Sequence, residues 1–266
     1  MSDVHSTAII GPKVTIGKNV EIGPYSIIEG ETEIGDNTKI MSHCHITGYT
    51  RIGRGNVFYP YSSIGFEPKD LKFKGEKSYV EIGDNNVFRE YTNVCRATSE
   101  DGATKIGNNN LLMTYVSIAH GCRVGNNVIM ANLATLGGHV HISDYARIGG
   151  VTALHQFVKV GQYAILGAGS KANMDIPPFT VADGTPARLY GINVINLKRS
   201  GFKLQDIRNI KQMYKTLFYS ADLWKARLAL IENEFGEFEY GRMFLDFIKN
   251  SSRGIAHPPK KGANEE

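Results

Sequence analysis

Several features that would indicate particular classes of protein are scarce in this sequence of 266 residues. No apolar run approaches the roughly 18 residues that a membrane span requires, and the polar start from Met1 to Thr7 lacks the apolar core of a signal peptide. The three cysteines are an odd number without metal-ligand spacing, which argues against a disulfide framework. The formal net charge of +4 is too small to indicate nucleic-acid binding. We therefore expect a cytoplasmic protein that binds no nucleic acid and does not insert stably into a membrane.

Glycine, in contrast, is abundant, with 29 residues, and it often follows a large apolar residue that recurs at every sixth position. The recurring residues are Ile10, Ile16, Ile22, Ile28, Ile34, Ile40, Ile46, Ile52, Phe58, Ile64, Ile82, Phe88, Val94, Ile106, Leu112, Ile118, Val124, Met130, Leu136, Ile142, Ile148, Leu154, Val160 and Leu166. A small or β-branched residue lies four positions after most of them, as at Val20, Cys44, Cys122 and Val140. We expect both kinds of position to point inward, so that Cys44 and Cys122 are core residues.

A unit of six residues with two inward positions describes one short strand and its corner, and three units close a triangular coil. One coil cannot bury its apolar side alone, so the coils must stack at the spacing of neighbouring strands, about 4.8 Å. The sequence therefore predicts a mainly β fold, a parallel β-helix of hexapeptide repeats over residues 1–190, with loops at 66–79 and 96–105. The prolines at 177 and 178 indicate the end of the repeat.

The last third of the chain changes period. Apolar residues at helical spacing predict a C-terminal α-helical domain over 191–250, with helices around Ile207–Phe218, Leu223–Ile231 and Phe244–Ile248, and a disordered tail over 251–266. Six basic residues and one acid lie between Lys198 and Lys215. They form either a solvated helix face or a docking surface for an acidic carrier protein.

Three histidines fall near one patch of the predicted coil. Ile118, Leu136 and Leu154 are spaced by whole coils, and His120, His139 and His155 follow them by two, three and one positions. We expect these histidines outside the prism or at its corners, with Gly138 stacked on His120. Neutral imidazole can remove a proton from an attacking hydroxyl or amine, and a glycine N–H can stabilise the resulting oxyanion. Zinc coordination by the three imidazoles is the competing hypothesis.

Several segments resemble the UDP-N-acetylglucosamine O-acyltransferases of lipid A biosynthesis. They are Asp70-Leu71-Lys72, Asn110-Leu111-Leu112-Met113, Ile118-Ala119-His120, Gly138-His139-Val140, His155-Gln156-Phe157, Asp175-Ile176-Pro177-Pro178 and Leu197-Lys198-Arg199. The resemblance extends from His5 to about Gly254. It implies a left-handed β-helix, a homotrimer with active sites between prisms, and no metal or other cofactor. It also implies transfer of an (R)-3-hydroxyacyl chain from acyl carrier protein to the 3-position of the UDP-sugar.

The resemblance assigns roles residue by residue. It implies that His120 is the general base and that the N–H of Gly138 binds the oxyanion. The residues implied to bind substrate are Asp70, Lys72, His139, His155, Gln156, Asn193 and Arg199, and Ala168 matches a position that limits acyl-chain length.

The sequence departs from the family at Cys95, Ser117, Gly121, Pro186, Ile195 and Ser200. The acceptor therefore carries either a 3-hydroxyl or a 3-amino group, and the side chain of Ala168 favours a shorter acyl chain than glycine would allow. Two functions of other classes stay open, a zinc-dependent lyase of the carbonic anhydrase type and a non-catalytic β-helix that binds nucleotide sugar or carrier protein.

Overall fold

The hexapeptide units form a three-sided parallel β-helix in the computed structural model, which describes residues 2–259. Each coil crosses three sheets in turn, named here faces A, B and C. Face A contains Asp3–Val4, Glu21–Ile22, Lys39–Ile40, Val57–Phe58, Val87–Phe88, Leu111–Leu112, Ile129–Met130, Arg147–Ile148, Ile165–Leu166, Thr180–Asp183 and Arg188–Ile192. Face B contains Ile9–Ile10, Ile27–Ile28, His45–Ile46, Ser63–Phe66, Asn93–Cys95, Ser117–Ile118, Thr135–Leu136, Ala153–Leu154 and Lys171–Ala172. Face C contains Thr15–Ile16, Glu33–Ile34, Tyr49–Ile52, Tyr79–Ile82, Ala103–Ile106, Arg123–Val124, His141–Ile142 and Lys159–Val160.

Within each face, a strand pairs with the strand of the next coil. Ile118 lies beside Leu136, and Leu136 beside Leu154, as the spacing predicts. Pairing is parallel everywhere among the described strands except between the last two, Thr180–Asp183 and Arg188–Ile192. The predicted stack of coils is confirmed. Side chains at equivalent positions of successive coils therefore lie in columns along the prism.

The inward positions fill the prism. Phe58 and Phe88 stack inside it with ring centroids 4.6 Å apart, and both predicted core cysteines are buried. Burial raises the pKa of the Cys44 thiol to about 11 and that of Cys122 to about 12. These thiols therefore serve packing rather than chemistry.

The three edges of the prism carry different side chains. Where face A turns into face B (the A–B edge), Tyr61, Tyr91 and Tyr115 have positive φ and stack with centroids 4.9 and 4.7 Å apart. The C–A edge, from face C to face A, has asparagines such as Asn109 and Asn127 at the same left-handed backbone position, which asparagine adopts readily. The B–C edge, from face B to face C, carries both ejected loops.

The two loops are slightly shorter than predicted. The first connects Ser63–Phe66 to Tyr79–Ile82 and the second connects Asn93–Cys95 to Ala103–Ile106, so the loops span 67–78 and 96–102 rather than 66–79 and 96–105. The predicted bounds were wrong because the strand before the first loop includes Phe66, and because the strands after both loops lengthen to four residues and pair in register, Tyr79 with Ala103. Both loops run from face B to face C and therefore leave the prism at one edge.

The prism continues past the predicted end. Ile176 still bridges to Val160, and Thr180–Asp183 adds one more strand to face A. The final strand Arg188–Ile192 crosses the boundary predicted at residue 190. Up to residue 259, four helices follow, α1 (Val194–Arg199), α2 (Leu204–Tyr219), α3 (Trp224–Phe235) and α4 (Glu239–Lys249). Within residues 2–259, no helix combines the length and apolar character needed to cross a bilayer.

The prediction of a disordered tail is wrong for residues 251–259. Ile255 and Ala256 are buried, the Asp175 N–H donates to the Gly254 carbonyl at 2.8 Å, and the Ala256 N–H donates to the Asp175 carbonyl at 2.9 Å. The Leu189 N–H donates to the carbonyl of His257 at 3.1 Å. The sequence did not reveal that this segment packs back on the prism, because it contains only two apolar side chains among polar ones. Residues 260–266 of the predicted tail lie outside the described residues.

We predict that Ile255→Ala lowers the free energy of unfolding by about 2–4 kcal/mol, because it removes a buried side chain that packs with the helices. Denaturant unfolding followed by circular dichroism measures the change. Leu223→Ala, at a residue that is 83% exposed, is the matched control. Equal small losses in both variants would contradict a packed tail.

Candidate active site

The B–C edge brings together the histidines and the loops that the sequence singled out. His120 and His139 lie between face-B and face-C strands, as do both loops, and the second and first loops leave the same edge one and two coils before His120. The repeat alone fixes this meeting, because each insertion occurs at the corresponding corner of its coil.

His120 lies outside the prism and is nevertheless buried, with an exposed fraction of 5%. The His139 N–H donates to the His120 carbonyl at 2.9 Å, and the two rings meet edge to face with centroids 5.0 Å apart. A Cβ at Gly138 would come within 2.6 Å of Nε2 of His120 and closer still to Cε1. Only glycine at 138 therefore lets the imidazole occupy this place, and the predicted stacking of Gly138 on His120 is observed.

The amide of Gly138 faces no backbone acceptor. Its neighbours on both sides are bonded to adjacent coils, Gly137 to Leu154 and His139 to His120, whereas the N–H of Gly138 donates to no acceptor within residues 2–259. An unbonded N–H beside an imidazole is the pair of groups that acyl transfer requires, a donor for an oxyanion and a base.

The first loop delivers Asp70 to this imidazole. Asp70 Oδ2 lies 3.8 Å from Nε2 of His120. The turn is closed locally, since the Lys72 N–H donates to Asp70 Oδ1 at 2.9 Å and the Phe73 N–H donates to the Asp70 carbonyl at 3.0 Å. Lys72 itself is exposed. The predicted loop residues thus approach the base from outside the prism.

Arg96, which the sequence did not single out, holds the loop in this position. Its Nη2 donates to Glu67 Oε1 at 3.1 Å, and its guanidinium carbon lies 5.3 Å from the ring centroid of Phe73. Glu67 and Phe73 flank Asp70 on either side, so one arginine from the second loop fixes both ends of the turn. Its position at the start of an inserted polar loop was the only signal in the sequence.

The environment of His120 favours the neutral imidazole. Burial lowers its pKa below the ordinary value, the neighbouring His139 lowers it further, and the Asp70 carboxylate acts in the opposite direction. Nδ1 of His120 is buried and has no hydrogen-bond partner among the described residues. Gly121 has a positive φ, and the His139 ring occupies the space that a side chain at 121 would need. A neutral imidazole at pH 7 is ready to accept a proton.

The third histidine does not join the other two. His155 and Gln156 are exposed on the B–C edge, and Nδ1 of His155 lies 3.2 Å from the Gln156 carbonyl oxygen. The His139 ring stacks instead on Phe157, with centroids 5.0 Å apart. Within residues 2–259, no three His, Cys, Asp or Glu side chains are grouped as metal ligands. The three-histidine zinc cluster of the competing hypothesis is therefore not formed.

Two predicted substrate-binding residues lie on another edge. Asn193 caps α1 by accepting from the Asn196 N–H at 3.3 Å, and its amide donates to the carbonyl of Tyr163 at 3.0 Å. Tyr163 belongs to the C–A edge. Asn193, which precedes α1, and Arg199, its last residue, therefore lie across face C from His120. Ala168 is exposed on the A–B edge. One chain therefore does not bring all the predicted residues together.

Four of the other departures from the family pattern lie in two places, on face B and on α1. Ser117 projects from face B beside Asn93, and Cys95 is buried on the same face, where burial raises the pKa of its thiol. Ile195 is 67% exposed on α1, and Ser200 ends that helix.

Comparison with known proteins identifies the family. Residues 103–138 match the model of the bacterial transferase hexapeptide (six repeats), and residues 175–256 match that of UDP N-acetylglucosamine O-acyltransferase, domain 2. The chain is 46% identical over 256 residues to the acyl-[acyl-carrier-protein]–UDP-N-acetylglucosamine O-acyltransferase of Thermodesulfovibrio yellowstonii, covering 96% of this chain and 99% of that relative. A relative of the same name from Halorhodospira halophila is 41% identical, with coverage of 96% and 99%. The chain belongs to this acyltransferase family.

Solved structures agree with this assignment. A UDP-N-acetylglucosamine acyltransferase from Francisella novicida superposes with a TM-score of 0.94 at 36% identity, covering 97% of this chain and 95% of that one. One from Bacteroides fragilis gives 0.92 at 41% identity, with coverage of 95% and 99%. The resemblance inferred from the sequence is confirmed, and so is the fold, a left-handed parallel β-helix of hexapeptide repeats with C-terminal helices.

We predict that Asp70→Asn lowers the pKa of His120 further, because the substitution removes the nearby anion that stabilises the imidazolium. The imidazole signals of His120, followed by NMR as pH changes, report the shift. Asp101→Asn, on the second loop, is the matched control and should leave that pKa unchanged. An unchanged or raised pKa in Asp70→Asn would show that the first loop does not approach His120 in solution.

Proposed function

We propose that this chain transfers an (R)-3-hydroxyacyl group from acyl carrier protein to the 3-hydroxyl of UDP-N-acetylglucosamine, the first step of lipid A biosynthesis. Family membership supports the reaction, and the relatives with 46% and 41% identity carry the name of that activity. The observation that carries the mechanism is the buried imidazole of His120 beside the unbonded N–H of Gly138.

The proposed reaction is a direct transfer without a covalent enzyme intermediate. Nε2 of His120 takes the proton of the 3-hydroxyl while its oxygen attacks the thioester carbonyl carbon, and a C–O bond forms. The Gly138 N–H donates to the carbonyl oxygen as it becomes negative. The C–S bond then breaks, the proton passes from His120 to the leaving sulfur, and the carrier thiol departs.

The carrier protein needs a basic surface, because carrier proteins are acidic. The six basic residues between Lys198 and Lys215 are all exposed, on or beside α1 and α2. No salt bridge engages any of them within the part of the chain that the structure describes. We therefore place carrier docking on this helical surface.

The homotrimer belongs to the same proposal. Val57, Val87, Leu111 and Ile129 form an apolar column on the outside of face A, half-exposed in a single chain. An exposed apolar surface of this kind is typical of a protein–protein interface. We include in this proposal that Asn193 and Arg199 of one chain meet His120 of another, since a single chain does not bring them together.

We predict that His120→Ala lowers the rate of acyl transfer by about 10²–10⁴-fold, since it removes the base. Gly138→Ala should lower it by about 100-fold, because the methyl group displaces the imidazole. The assay uses (R)-3-hydroxyacyl carrier proteins of graded length with UDP-N-acetylglucosamine and with its 3-amino analogue. Gly150→Ala is the matched control, because the atom nearest its methyl group would be the Asn132 carbonyl oxygen, at 3.1 Å, and the next nearest atoms lie at 3.9 and 4.0 Å.

Full activity of His120→Ala would remove the base from the mechanism. Transfer only to the 3-amino sugar would change the acceptor, and binding of both substrates without transfer to either would favour a non-catalytic β-helix.

We predict that mixing inactive His120→Ala with Arg199→Ala, after dissociation and reassembly, restores about a quarter of the wild-type sites. Random assortment gives each site one intact His120 and one intact Arg199 with that frequency if different copies supply them. Each variant reassembled alone is the control. No recovery on mixing would show that one chain supplies the complete site.

A further inference from the structure

The outer row of face C changes its charge pattern along the prism. Glu33, Arg51, Glu81 and Lys105 are cross-strand neighbours, and their charges alternate. Arg51 lies 3.8 Å from Glu33 and 3.9 Å from Glu81, and Lys105 lies 2.6 Å from Glu81. This part of the row is an ordinary ladder of surface ion pairs.

Beyond Lys105 the acids stop. Arg123, His141 and Lys159 follow directly in register, and each is the immediate neighbour of the next across the sheet. Lys105 and Arg123 are like charges directly opposite each other, and such a pair destabilises a sheet. Within residues 2–259, no salt bridge reaches Arg123 or Lys159, and Lys159 Nζ donates only to the carbonyl of Asn250, at 2.7 Å. The row therefore holds positive charge that the described residues do not neutralise.

The lowered pKa of His141 is consistent with this excess of positive charge. Partial removal of water lowers its pKa, and the charges of Arg123 and Lys159 add to the effect, whereas Asp144 opposes it. Asp144 is already engaged, since it accepts from the N–H and the amide of Asn126.

A cavity of about 330 Å³ opens on this row. Arg123, His141 and Lys159 line it, together with Ser99 of the second loop, Gly121 and His139. His139 also contacts His120, so the cavity adjoins the candidate active site. A hydroxyl, an imidazole, an ammonium and a guanidinium around one small concavity suit a phosphoryl group.

We propose that Arg123, His141 and Lys159 form a binding site for a phosphoryl group of a substrate. The inference rests on the proposed function, whose two substrates both carry phosphoryl groups, the diphosphate of the nucleotide sugar and the phosphodiester of the carrier's prosthetic arm. The position beside His139 favours the diphosphate. In the acceptor the diphosphate is joined directly to the sugar that reacts, whereas a long arm separates the phosphodiester from the thioester.

The test measures equilibrium binding, which needs no turnover. Calorimetry gives the affinities of UDP, uridine and 4′-phosphopantetheine for the full-length wild type, Arg123→Gln, Lys159→Gln and the double variant. Lys105→Gln is the matched control, because this lysine belongs to the same row and is neutralised by Glu81. Circular dichroism checks that every variant is folded.

We expect each substitution at Arg123 or Lys159 to weaken UDP binding by about tenfold, as loss of a hydrogen bond to a charged group does. The affinity for uridine should be the same in all variants, and Lys105→Gln should bind UDP as tightly as the wild type does. Weaker binding of 4′-phosphopantetheine alone would support the phosphoryl site and assign it to the carrier arm. Affinities equal to those of Lys105→Gln for both phosphorylated ligands would overturn the site.

The outcome is separable from that of the proposed function. Acyl transfer by the wild type together with unchanged affinities in the variants would refute this site and leave the function. Phosphate-dependent binding lost in the variants, without transfer by the wild type, would refute the function and leave the site.

Discussion

The stacking of each coil on the one below, through parallel backbone hydrogen bonds, is the constraint on which the rest of this structure depends. It fixes the distance between equivalent side chains in neighbouring coils, so residues far apart in the chain meet at one edge. His120 and Gly138 belong to successive coils, and their contact follows from that register. The stack also lets a coil eject a loop without disturbing its neighbours, because the next strand resumes pairing in register.

Burial at the B–C edge gives His120 properties that an exposed histidine at the same position of a coil would lack. An outward histidine on a solenoid is normally solvated and titrates near the ordinary value. His120 is covered by the first loop and by the neighbouring coil, so its charged form is disfavoured. Asp70 restores part of the stability of the imidazolium, which the base needs after it has taken a proton. Arg96 contacts Glu67 and Phe73, on either side of Asp70 in the first loop.

The sequence could reveal whatever the period controls. The columns, the core cysteines and the meeting of His120, Gly138 and His139 follow from spacing alone. It could not reveal contacts made by irregular segments, because those depend on tertiary packing without a periodic signal. The tail through Ile255, the grip of Arg96 on the first loop and the placement of Asn193 on another edge are of this kind. The basic row at Arg123 was visible at the repeat spacing and needed only the outward positions to be compared for charge.

The central claim is that a buried, neutral His120 acts as the general base, and the pH dependence of kcat/KM for acyl transfer tests it most directly. If the claim is correct, the rate falls on the acidic side with an apparent pKa below the ordinary imidazole value of about 6.5, because protonation of His120 blocks the reaction. A rate that is insensitive to pH throughout this range, or that falls with an apparent pKa above that value, would contradict the account.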